Sequence, residues 1–296
     1  MYNSYWGRRL MNDQAQALRN LVQTQATAAG GRATRIVTVT SGKGGVGKSN
    51  FSLNFALALQ KLGKRTLVFD ADIGMANIDV LMGTSAPYNL YHLLKREKSI
   101  WDIVHSGPLG IHFIAGGSGF KDLLDLSEAE LDYFGEQIGR LHGHYDVILF
   151  DTGAGLSKET IKFIVAAQET VVVTTPEPTS ITDAYALIKM VRAMNHDVDF
   201  KLVVNRATDG REGKQTADKI GLVARQFLQM ELPVLGVVLD DANVTKAVKK
   251  QVPFTLAYPG GDAAKNIEDI AKRFLSVDKD GEKGGVRGFL QRMFRR

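Results

Sequence analysis

Residues 34–59 read TRIVTVTSGKGGVGKSNFSLNFALAL, and this stretch decides the fold. Its first seven residues are mostly β-branched or apolar, which predicts a buried β-strand. Four glycines follow within residues 42–47, where they permit a tight turn, and the residues after them place apolar side chains at helical spacing. A strand, a glycine-rich turn and a helix in this order form the opening unit of an α/β domain.

The same alternation continues along the chain. Short runs that are apolar on both faces are typical of parallel strands covered by helices on each side. The sequence therefore predicts an α/β fold with a doubly wound, mostly parallel sheet and helices on both faces. Strands are predicted at 34–40, 65–70, 110–116, 145–151, 170–176, 199–205 and 232–240, and helices near 48–62, 127–142, 157–168, 180–194, 213–230, 242–250 and 262–275.

Composition excludes several classes of protein. The chain has 296 residues, 44% hydrophobic and 23% charged, which favours a folded globular protein over a disordered one. It contains no cysteine and six histidines, which excludes disulfides, thiolate metal sites and cysteine-bound electron-transfer clusters. No apolar run reaches 18 residues, and the first residues lack the pattern of a signal peptide. A cytoplasmic location is the expectation.

The glycine-rich turn, Gly42 to Ser49, matches the pattern G-x-x-x-x-G-K-[ST] between a predicted strand and a predicted helix. Backbone N–H groups of such a loop surround phosphate oxygens, and the helix that follows adds its positive end. Lys48 would bridge the β- and γ-phosphates, and the Ser49 hydroxyl would ligate Mg²⁺. The predicted nucleotide contacts are Gly44, Gly45, Val46, Gly47, Lys48, Ser49 and Asn50.

Carboxylates follow two of the predicted strands. Asp70 and Asp72 come at the end of the strand at 65–70, and Asp151 ends the strand at 145–151. Because the carboxyl ends of parallel strands share one edge of the sheet with the phosphate loop, all three can face the phosphates. Mg²⁺ prefers oxygen ligands of this kind, so Ser49, Asp70 and Asp151 are the predicted metal residues.

Two segments resemble the MinD/ParA class of P-loop ATPases. Lys43 in KGGVGKS is similar to the signature lysine of that family's deviant Walker A motif, and residues 69–83, FDADIGMANIDVLMG, are similar to its segment after the second strand. The resemblance covers about residues 34–275 and implies ATP hydrolysis to ADP and phosphate by a homodimer that holds two nucleotides. Lys43 of each protomer would then reach the phosphates of the other.

The same resemblance assigns roles to individual residues. Asp72 is expected to orient the attacking water, so Lys43, Lys48 and Asp72 form the predicted catalytic set. Asp70 would support the metal and the dimer switch, and Asp151 would contact Mg²⁺ through water. Asn205 is expected at the adenine with Arg206 near the base, and residues 240–243 are a second candidate for base contact. The chain reads DTGAG at 151–155, a segment in which MinD proteins usually have a proline. This difference argues against MinD itself but not against the MinD/ParA class.

The C-terminal segment 286–296 follows a linker at 276–285 and has an amphipathic pattern. The apolar face would carry Val286, Phe289, Leu290, Met293 and Phe294, and the other face is basic without an acid. Such a helix could pack on its own domain as a last core helix. The glycine-rich linker and the acid-free polar face instead favour binding to an anionic membrane surface, on which so short a helix would become ordered. ATP-driven dimerisation would double the anchor and recruit the protein to the inner face of the cell membrane.

The N-terminal segment 1–33 is predicted to contain a short helix and a flexible linker. Its residues Asp13, Gln14, Ala15, Leu18 and Arg19 resemble the DQAxxLR motif of the FlhG (YlxH) family, MinD-like ATPases that control flagellar number and placement. That resemblance implies that Asp13, Gln14, Leu18 and Arg19 bind and stimulate an FlhF-type GTPase of the signal-recognition-particle class, with Gln14 reaching its active site. Flagellar basal-body components are further partners that it implies.

Three functions of one class remain open at this point: a flagellar assembly ATPase, a division-site regulator of MinD type and a ParA-type DNA segregation ATPase. Only the first explains the N-terminal motif. The net charge of +5 resides in residues 283–296, which hold five basic residues and no acid, whereas the first 282 residues are balanced. This distribution favours a membrane-seeking tail over a DNA-coating surface, so no specific nucleic acid is expected.

Overall fold

The computed structural model describes residues 34–72, 77–116, 128–194, 198–276 and 285–293. The predicted partner-activating residues Asp13, Gln14, Leu18 and Arg19 lie outside these ranges, as does Phe294. The first half of the described chain forms β1 (Arg35–Ser41), α1 (Lys48–Lys61), β2 (Thr66–Ala71), α2 (Ile78–Leu81), α3 (Leu90–Leu94), α4 (Ile100–Ile103), β3 (His105–Ser106), a 3-10 turn (Pro108–Gly110), β4 (His112–Ile114) and α5 (Glu128–Gly139).

The second half continues the alternation of strand and helix. Its elements are β5 (Val147–Ala154), α6 (Lys158–Ala166), β6 (Glu169–Thr174), α7 (Pro178–Ala193), β7 (Asp199–Ala207), α8 (Gly210–Leu228), β8 (Val234–Leu239), α9 (Ala242–Lys249), α10 (Phe254–Ala257), α11 (Asp262–Ser276) and α12 (Gly285–Met293). None of the helices in the described ranges is long and apolar enough to cross a membrane.

The strands form one sheet of eight in the order β3-β4-β2-β5-β1-β6-β7-β8. Neighbouring strands are parallel except at the β3–β4 edge, where the pair is antiparallel. The chain winds outward from β1 in both directions, so the loop after β1 lies at the point where the winding reverses. Ligands of open α/β sheets bind at this point, which places the glycine-rich loop where a nucleotide is expected.

Alternate residues of the central strands pack into cores on opposite faces of the sheet. Val37 and Leu149 belong to the cluster under α1 and α11, where Phe55 meets Phe274 edge to face with ring centroids 5.2 Å apart. Phe150 points the other way, into a cluster with side chains of α3, α4, α5, α6 and α12. A third cluster lies beneath α7 and α8. The predicted doubly wound α/β fold, with a mostly parallel sheet and helices on both faces, is confirmed.

The structure contains short elements that the sequence patterns missed. The helices α2, α3, α4 and α10 have four or five residues each, and β3 has two. Elements this short complete barely one period of a hydrophobic pattern, so periodicity does not detect them. Helix α8 also begins at Gly210, earlier than predicted, because the Asp209 carboxylate caps it by accepting hydrogen bonds from the N–H groups of Arg211 and Glu212.

Helix α12 packs on its own domain, through the apolar face that the sequence assigns to a membrane. Val286, Phe289 and Met293 are buried, and Leu290 is partly buried against the same cluster. The Phe289 ring stacks on Phe150 with centroids 4.6 Å apart. The helix is therefore ordered on protein rather than only on lipid, because the sheet face offers aromatic partners that the sequence pattern could not reveal.

Charged residues cluster at the amino ends of three strands. Glu169 accepts hydrogen bonds from Arg35, at 2.7 Å, and from Lys201, which also contacts Asp199 at 3.2 Å. The Lys201 side chain is only 3% exposed. The Arg35 guanidinium also lies 3.9 Å from the ring centroid of Phe274. This network ties β1, β6, β7 and α11 together at the edge of the sheet opposite the glycine-rich loop.

Candidate nucleotide-binding site

The glycines of the loop after β1 are required by their surroundings. Gly47 has φ 89° and precedes α1, and a Cβ atom there would lie 2.5 Å from Asn205 Nδ2. A Cβ atom at Gly42 would lie 2.2 to 2.5 Å from backbone atoms of Asp183 and Ala184. The helix has neither a side-chain cap nor an acidic residue in its first turn. Its amino end is thus uncovered and electropositive, as a phosphate site needs.

Lys48 and Asp151 form a buried pair at the bottom of this loop. Lys48 Nζ lies 3.4 Å from Asp151 Oδ1, and the two side chains are 8% and 1% exposed. The Ser52 hydroxyl donates to the same carboxylate oxygen at 2.7 Å. The other oxygen, Asp151 Oδ2, is buried and has no hydrogen-bond partner in the described part of the chain. Buried polar atoms are normally satisfied, so this oxygen marks a place for a ligand.

These residues fit a magnesium ion that is only partly held by protein. No group of three or more His, Cys, Asp or Glu that could hold a metal ion exists among the described residues. Mg²⁺ commonly keeps several waters and binds one or two protein oxygens together with substrate phosphates. Asp151 Oδ2 and the half-buried Ser49 at the start of α1 provide such oxygens. When bound, the ion would neutralise charge that develops on the phosphates.

Asp70 anchors the segment that follows β2. Its Oδ2 accepts hydrogen bonds from the N–H groups of Asn77 at 2.8 Å and Ile78 at 3.1 Å, and its Oδ1 accepts from the Asp72 N–H at 3.2 Å. Burial, and secondly the neighbouring charge of Asp151, raise the pKa of Asp70 to about 7. The carboxylate thus joins both ends of the loop between β2 and α2, next to the predicted metal position.

Asp72 lies at the same edge of the sheet, facing the end of β5. A Cβ atom at Gly153 would lie 3.6 Å from Asp72 Oδ1. Strands β2 and β5 are in register at Asp70 and Asp151. The three aspartates that sequence reasoning selected are therefore brought together beside the glycine-rich loop. Asp72 is the least buried of the three aspartates.

Lys43 extends to the rim of the site instead of into it. Its Nζ donates to Glu177 Oε2 and to Thr179 Oγ1, both at 3.0 Å, and the lysine side chain is 39% exposed. The hydrogen bond and charge of Lys43, and secondarily the charge of Arg206, lower the pKa of Glu177. Sequence reasoning missed Glu177 and Thr179, although Glu177 follows the carboxyl end of β6 at the same edge of the sheet.

Asn205 and Arg206 follow β7. Asn205 Nδ2 donates to the Val46 carbonyl of the glycine-rich loop at 2.7 Å, so this side chain reaches the phosphate loop. Arg206 has φ 57°, and its Nε lies 3.7 Å from Asp240 Oδ1. Asp240 belongs to the second predicted base-contact segment, residues 240–243. A cavity of about 260 Å³ lies beside these residues and is lined by Thr175, Pro176, Glu177, Arg206, Thr208 and Glu212.

The fold and this site define a P-loop ATPase with a deviant Walker A lysine. The family model described as the CobQ/CobB/MinD/ParA nucleotide binding domain matches residues 37–254. The chain therefore belongs to this MinD/ParA family of nucleotide-binding ATPases.

Among curated relatives, the antiactivator FleN of Pseudomonas aeruginosa is 35% identical over 87% of this chain and 91% of its own. The flagellum site-determining protein YlxH of Helicobacter pylori is 36% identical over 96% of this chain and 99% of its own. Among solved structures, the septum site-determining protein MinD of Pyrococcus horikoshii, complexed with Mg-ADP, has a TM-score of 0.67 and 25% identity, and the match covers 83% of this chain and 96% of that one. The chain is thus a MinD-like ATPase related to FleN and to the FlhG (YlxH) proteins.

Proposed function

We propose that this protein hydrolyses ATP to ADP and phosphate with Mg²⁺, and that ATP switches it from a monomer to a homodimer. The observation that carries the proposal is the position of Lys43. Its amine lies at the rim of the site, bound to Glu177 and Thr179 and partly exposed, whereas Lys48 occupies the bottom beside Asp151. One lysine thus serves its own nucleotide, and the other is available to the nucleotide of a second copy.

A charge supplied by the partner suits phosphoryl transfer, because its transition state carries negative charge spread over several oxygens. Lys43→Gln is expected to retain nucleotide binding but to lose dimerisation and hydrolysis. The control is Lys98→Gln, which removes the charge of a lysine between α3 and α4, away from the glycine-rich loop. Light scattering with ATP and a phosphate-release assay measure the two properties. A Lys43→Gln protein that dimerises with ATP as the wild type does would contradict the proposal.

The biological role that we propose is control of flagellar number and placement. The relative YlxH, which matches 96% of this chain, is named as a flagellum site-determining protein, and FleN, which matches 87%, is named as an antiactivator. The YlxH match extends over nearly the whole sequence. The DQAxxLR-like residues Asp13, Gln14, Leu18 and Arg19 add support, although they lie outside the described residues.

In this proposal the N-terminal segment stimulates an FlhF-type GTPase. The test adds purified protein to such a GTPase and measures GTP turnover. Gln14→Ala is expected to abolish the stimulation, whereas Gln16→Ala, two residues away at a variable position of the motif, should preserve it. ATP hydrolysis by both variants should equal that of the wild type. If Gln14→Ala stimulates the GTPase normally, the flagellar assignment loses its support from the motif while the ATPase assignment stands.

We further propose that α12 carries the ATP-bound dimer from the cytoplasm to the inner face of the cell membrane. Because its apolar face is covered by Phe150 and Phe163 in this structure, it must first leave the domain. Arg292 favours such release: its Nε donates to the Ala166 carbonyl, but Nη2 is buried without a hydrogen-bond partner among the described residues. Burial also lowers the pKa of Arg292, as expected for a cation that is partly removed from water.

Helix α6 connects this contact to the nucleotide site. It begins after Ser157, close to the end of β5 that carries Asp151, and it ends at Ala166, where Arg292 binds. ATP should therefore increase co-sedimentation with vesicles that contain phosphatidylglycerol, and deletion of 286–296 should abolish the increase. Phe227→Glu, at a phenylalanine that is 65% exposed on α8, is a control for loss of surface apolar area. Vesicle binding that is insensitive to ATP or to the deletion would refute the membrane switch.

A further inference from the structure

The edge of the sheet opposite the glycine-rich loop exposes large apolar side chains. Leu62, Trp101 and Leu109 are 39%, 42% and 51% exposed. Leu62 lies between α1 and β2, Leu109 lies in the turn before β4, and Trp101 is on α4. We name the surface formed by Leu62, Arg65, Trp101, Leu109 and His144 the amino-end surface, because it lies where the parallel strands begin.

Strand order brings the parts of this surface together. Strands β4, β2, β5 and β1 are parallel neighbours, so the segments that precede them line up along one edge of the sheet. Hydrogen bonds join adjacent segments. Gln60 Nε2 donates to the Gly110 carbonyl at 3.3 Å, and Arg65 Nη2 donates to the Gly143 carbonyl at 3.0 Å. The surface is therefore continuous from β4 to β5.

The same edge continues to the beginning of α12. The Trp101 ring meets the His144 ring edge to face, with centroids 4.8 Å apart. Gly285 is the first residue of α12, and a Cβ atom there would lie 3.3 Å from Cε1 of His142, two residues before His144. The amino-end surface thus borders the point at which the proposed membrane helix joins the domain.

The connection to α12 also begins at this edge. Helix α11 ends at Ser276, and Arg35, the first residue of β1, donates to the nearby Phe274 carbonyl at 3.4 Å. Residues 277–284 join Ser276 to α12 and span at most about 30 Å when extended. If α12 lies in a membrane, the amino ends of the strands are held within that distance of the lipid, whereas the nucleotide site lies at the opposite edge.

Leu109 is exposed on an unfavourable backbone. Its φ of 54° and ψ of 18° lie in the left-handed region, which is disfavoured for a residue with a Cβ atom and a bulky side chain. Backbone conformations of this kind persist where the surrounding structure imposes them, and they cluster at functional positions. Stability of the fold does not explain a leucine that is both strained and exposed.

Apolar contact, more than charge, distinguishes the amino-end surface. Arg65 lies 3.4 Å from Asp146, and Arg140, at the same edge, lies 2.7 Å from Glu136. Cations that are already paired with acids add little to the binding of a phosphate backbone, so nucleic acid is a poor match. Leucine and tryptophan side chains on loops and short helices instead suit the boundary between lipid headgroups and acyl chains.

We propose that the amino-end surface is a second membrane contact, in which Leu62, Trp101 and Leu109 enter the headgroup region once α12 has bound the same membrane. This inference rests on the proposed membrane switch. Helix α12 makes the first contact, and its short connection gives the amino-end surface a high effective concentration at the lipid. The second contact orients the nucleotide site away from the membrane, where a second copy can pair with it.

Trp101 reports on this contact directly. The sequence contains two tryptophans, so Trp6→Phe leaves Trp101 as the only one. Phosphatidylglycerol with brominated acyl chains quenches the fluorescence of a tryptophan that enters the vesicle surface. With a non-hydrolysable ATP analogue and these vesicles, Trp101 emission should be quenched and should shift to shorter wavelength. With ADP it should do neither.

A double variant tests the two leucines. Leu62→Ser with Leu109→Asn removes both apolar side chains, and asparagine tolerates the left-handed backbone, so thermal stability should be unchanged or higher. Vesicle affinity with the ATP analogue should fall by about fivefold or more. Val248→Ser with Val252→Ser is the control, because these valines are 37% and 38% exposed and follow the carboxyl end of β8. It should change vesicle affinity by less than about twofold.

The outcomes separate this inference from the membrane switch. If the wild type with the ATP analogue does not bind the vesicles, both are wrong. If it binds but Trp101 is not quenched, or if the leucine variant binds as the wild type does, the switch stands and the second contact is wrong. An equal loss in the valine control also contradicts it. A shift of Trp101 emission that the ATP analogue causes without vesicles would show that protein, not lipid, covers the surface.

Discussion

Lys43 Nζ lies 3.0 Å from Glu177 Oε2 of the same chain, at the rim of the nucleotide site. To reach the phosphates of a second copy, this lysine must leave Glu177. We therefore expect Glu177→Gln to dimerise at a lower ATP concentration than the wild type. Both side chains are substantially exposed, so the change should not exceed about fivefold.

Analytical ultracentrifugation across an ATP titration measures this effect. Glu231→Gln, which removes the acid of an exposed ion pair with Arg225 elsewhere on the molecule, serves as the control. The difference between Glu177→Gln and the wild type should shrink as salt is added, because exposed charges are screened. A higher ATP requirement in Glu177→Gln would show that Glu177 assists dimerisation instead of restraining Lys43.

Gly42→Ala should disable the phosphate loop. The added methyl group would come within 2.5 Å of backbone atoms of Asp183 and Ala184, and backbone cannot move aside as a flexible side chain can. Overpacking of this kind costs about 1 to 3 kcal/mol, so the loop should shift and nucleotide affinity should fall by about tenfold or more.

Fluorescent nucleotide titration checks the Gly42→Ala prediction. Gly135→Ala in α5 is the matched control, since a Cβ atom at Gly135 meets no atom within 4 Å. Alanine is favoured over glycine inside a helix, so this control should be stable and should bind nucleotide normally. Unchanged affinity in Gly42→Ala would mean that the contact between the loop and α7 does not position the phosphates.

Asp72→Ala tests the carboxylate that faces the end of β5. If this group orients the attacking water, turnover should fall by at least about 100-fold. ATP binding and ATP-dependent dimerisation should remain, because the glycine-rich loop and Lys48 at its bottom are unchanged by this substitution. Single-turnover hydrolysis and light scattering separate the two properties. Normal hydrolysis by Asp72→Ala would assign the water to another residue.

Lys201→Met tests the charge network at the amino ends of the strands. The ammonium group is almost fully buried and serves Glu169 and Asp199, so its removal leaves carboxylates with fewer partners. Breaking a buried pair in this way costs about 3 to 5 kcal/mol of unfolding free energy. Urea denaturation measures it, and Lys272→Met, at an exposed pair with Asp269, should change stability by less than about 1 kcal/mol.

The sequence predicted the parts of the site that follow from strand order and motif spacing. Asp70, Asp72 and Asp151 each follow a predicted parallel strand, so the topology alone places them on one edge with Lys48. The partners of Lys43 were not predictable in this way, because Glu177 is linked to it only by tertiary contact and stands 134 residues away in the sequence. Sequence reasoning favoured a membrane for the apolar face of α12 over the docking that the structure shows, since an amphipathic pattern indicates that a face is buried but not what buries it.

The packing of α12 has a consequence for the proposed membrane switch, in which that helix leaves the domain. Phe150, Phe163 and their neighbours then border an open apolar trough on the domain surface. Exposed apolar surface of this kind promotes association with whatever is nearby. In buffer without lipid we expect the ATP-bound protein to be less soluble than the ADP-bound protein, because each released helix exposes the apolar surface that it covered. A cell that uses this switch would have to limit the lifetime of the released state or supply a binding partner that covers this apolar surface.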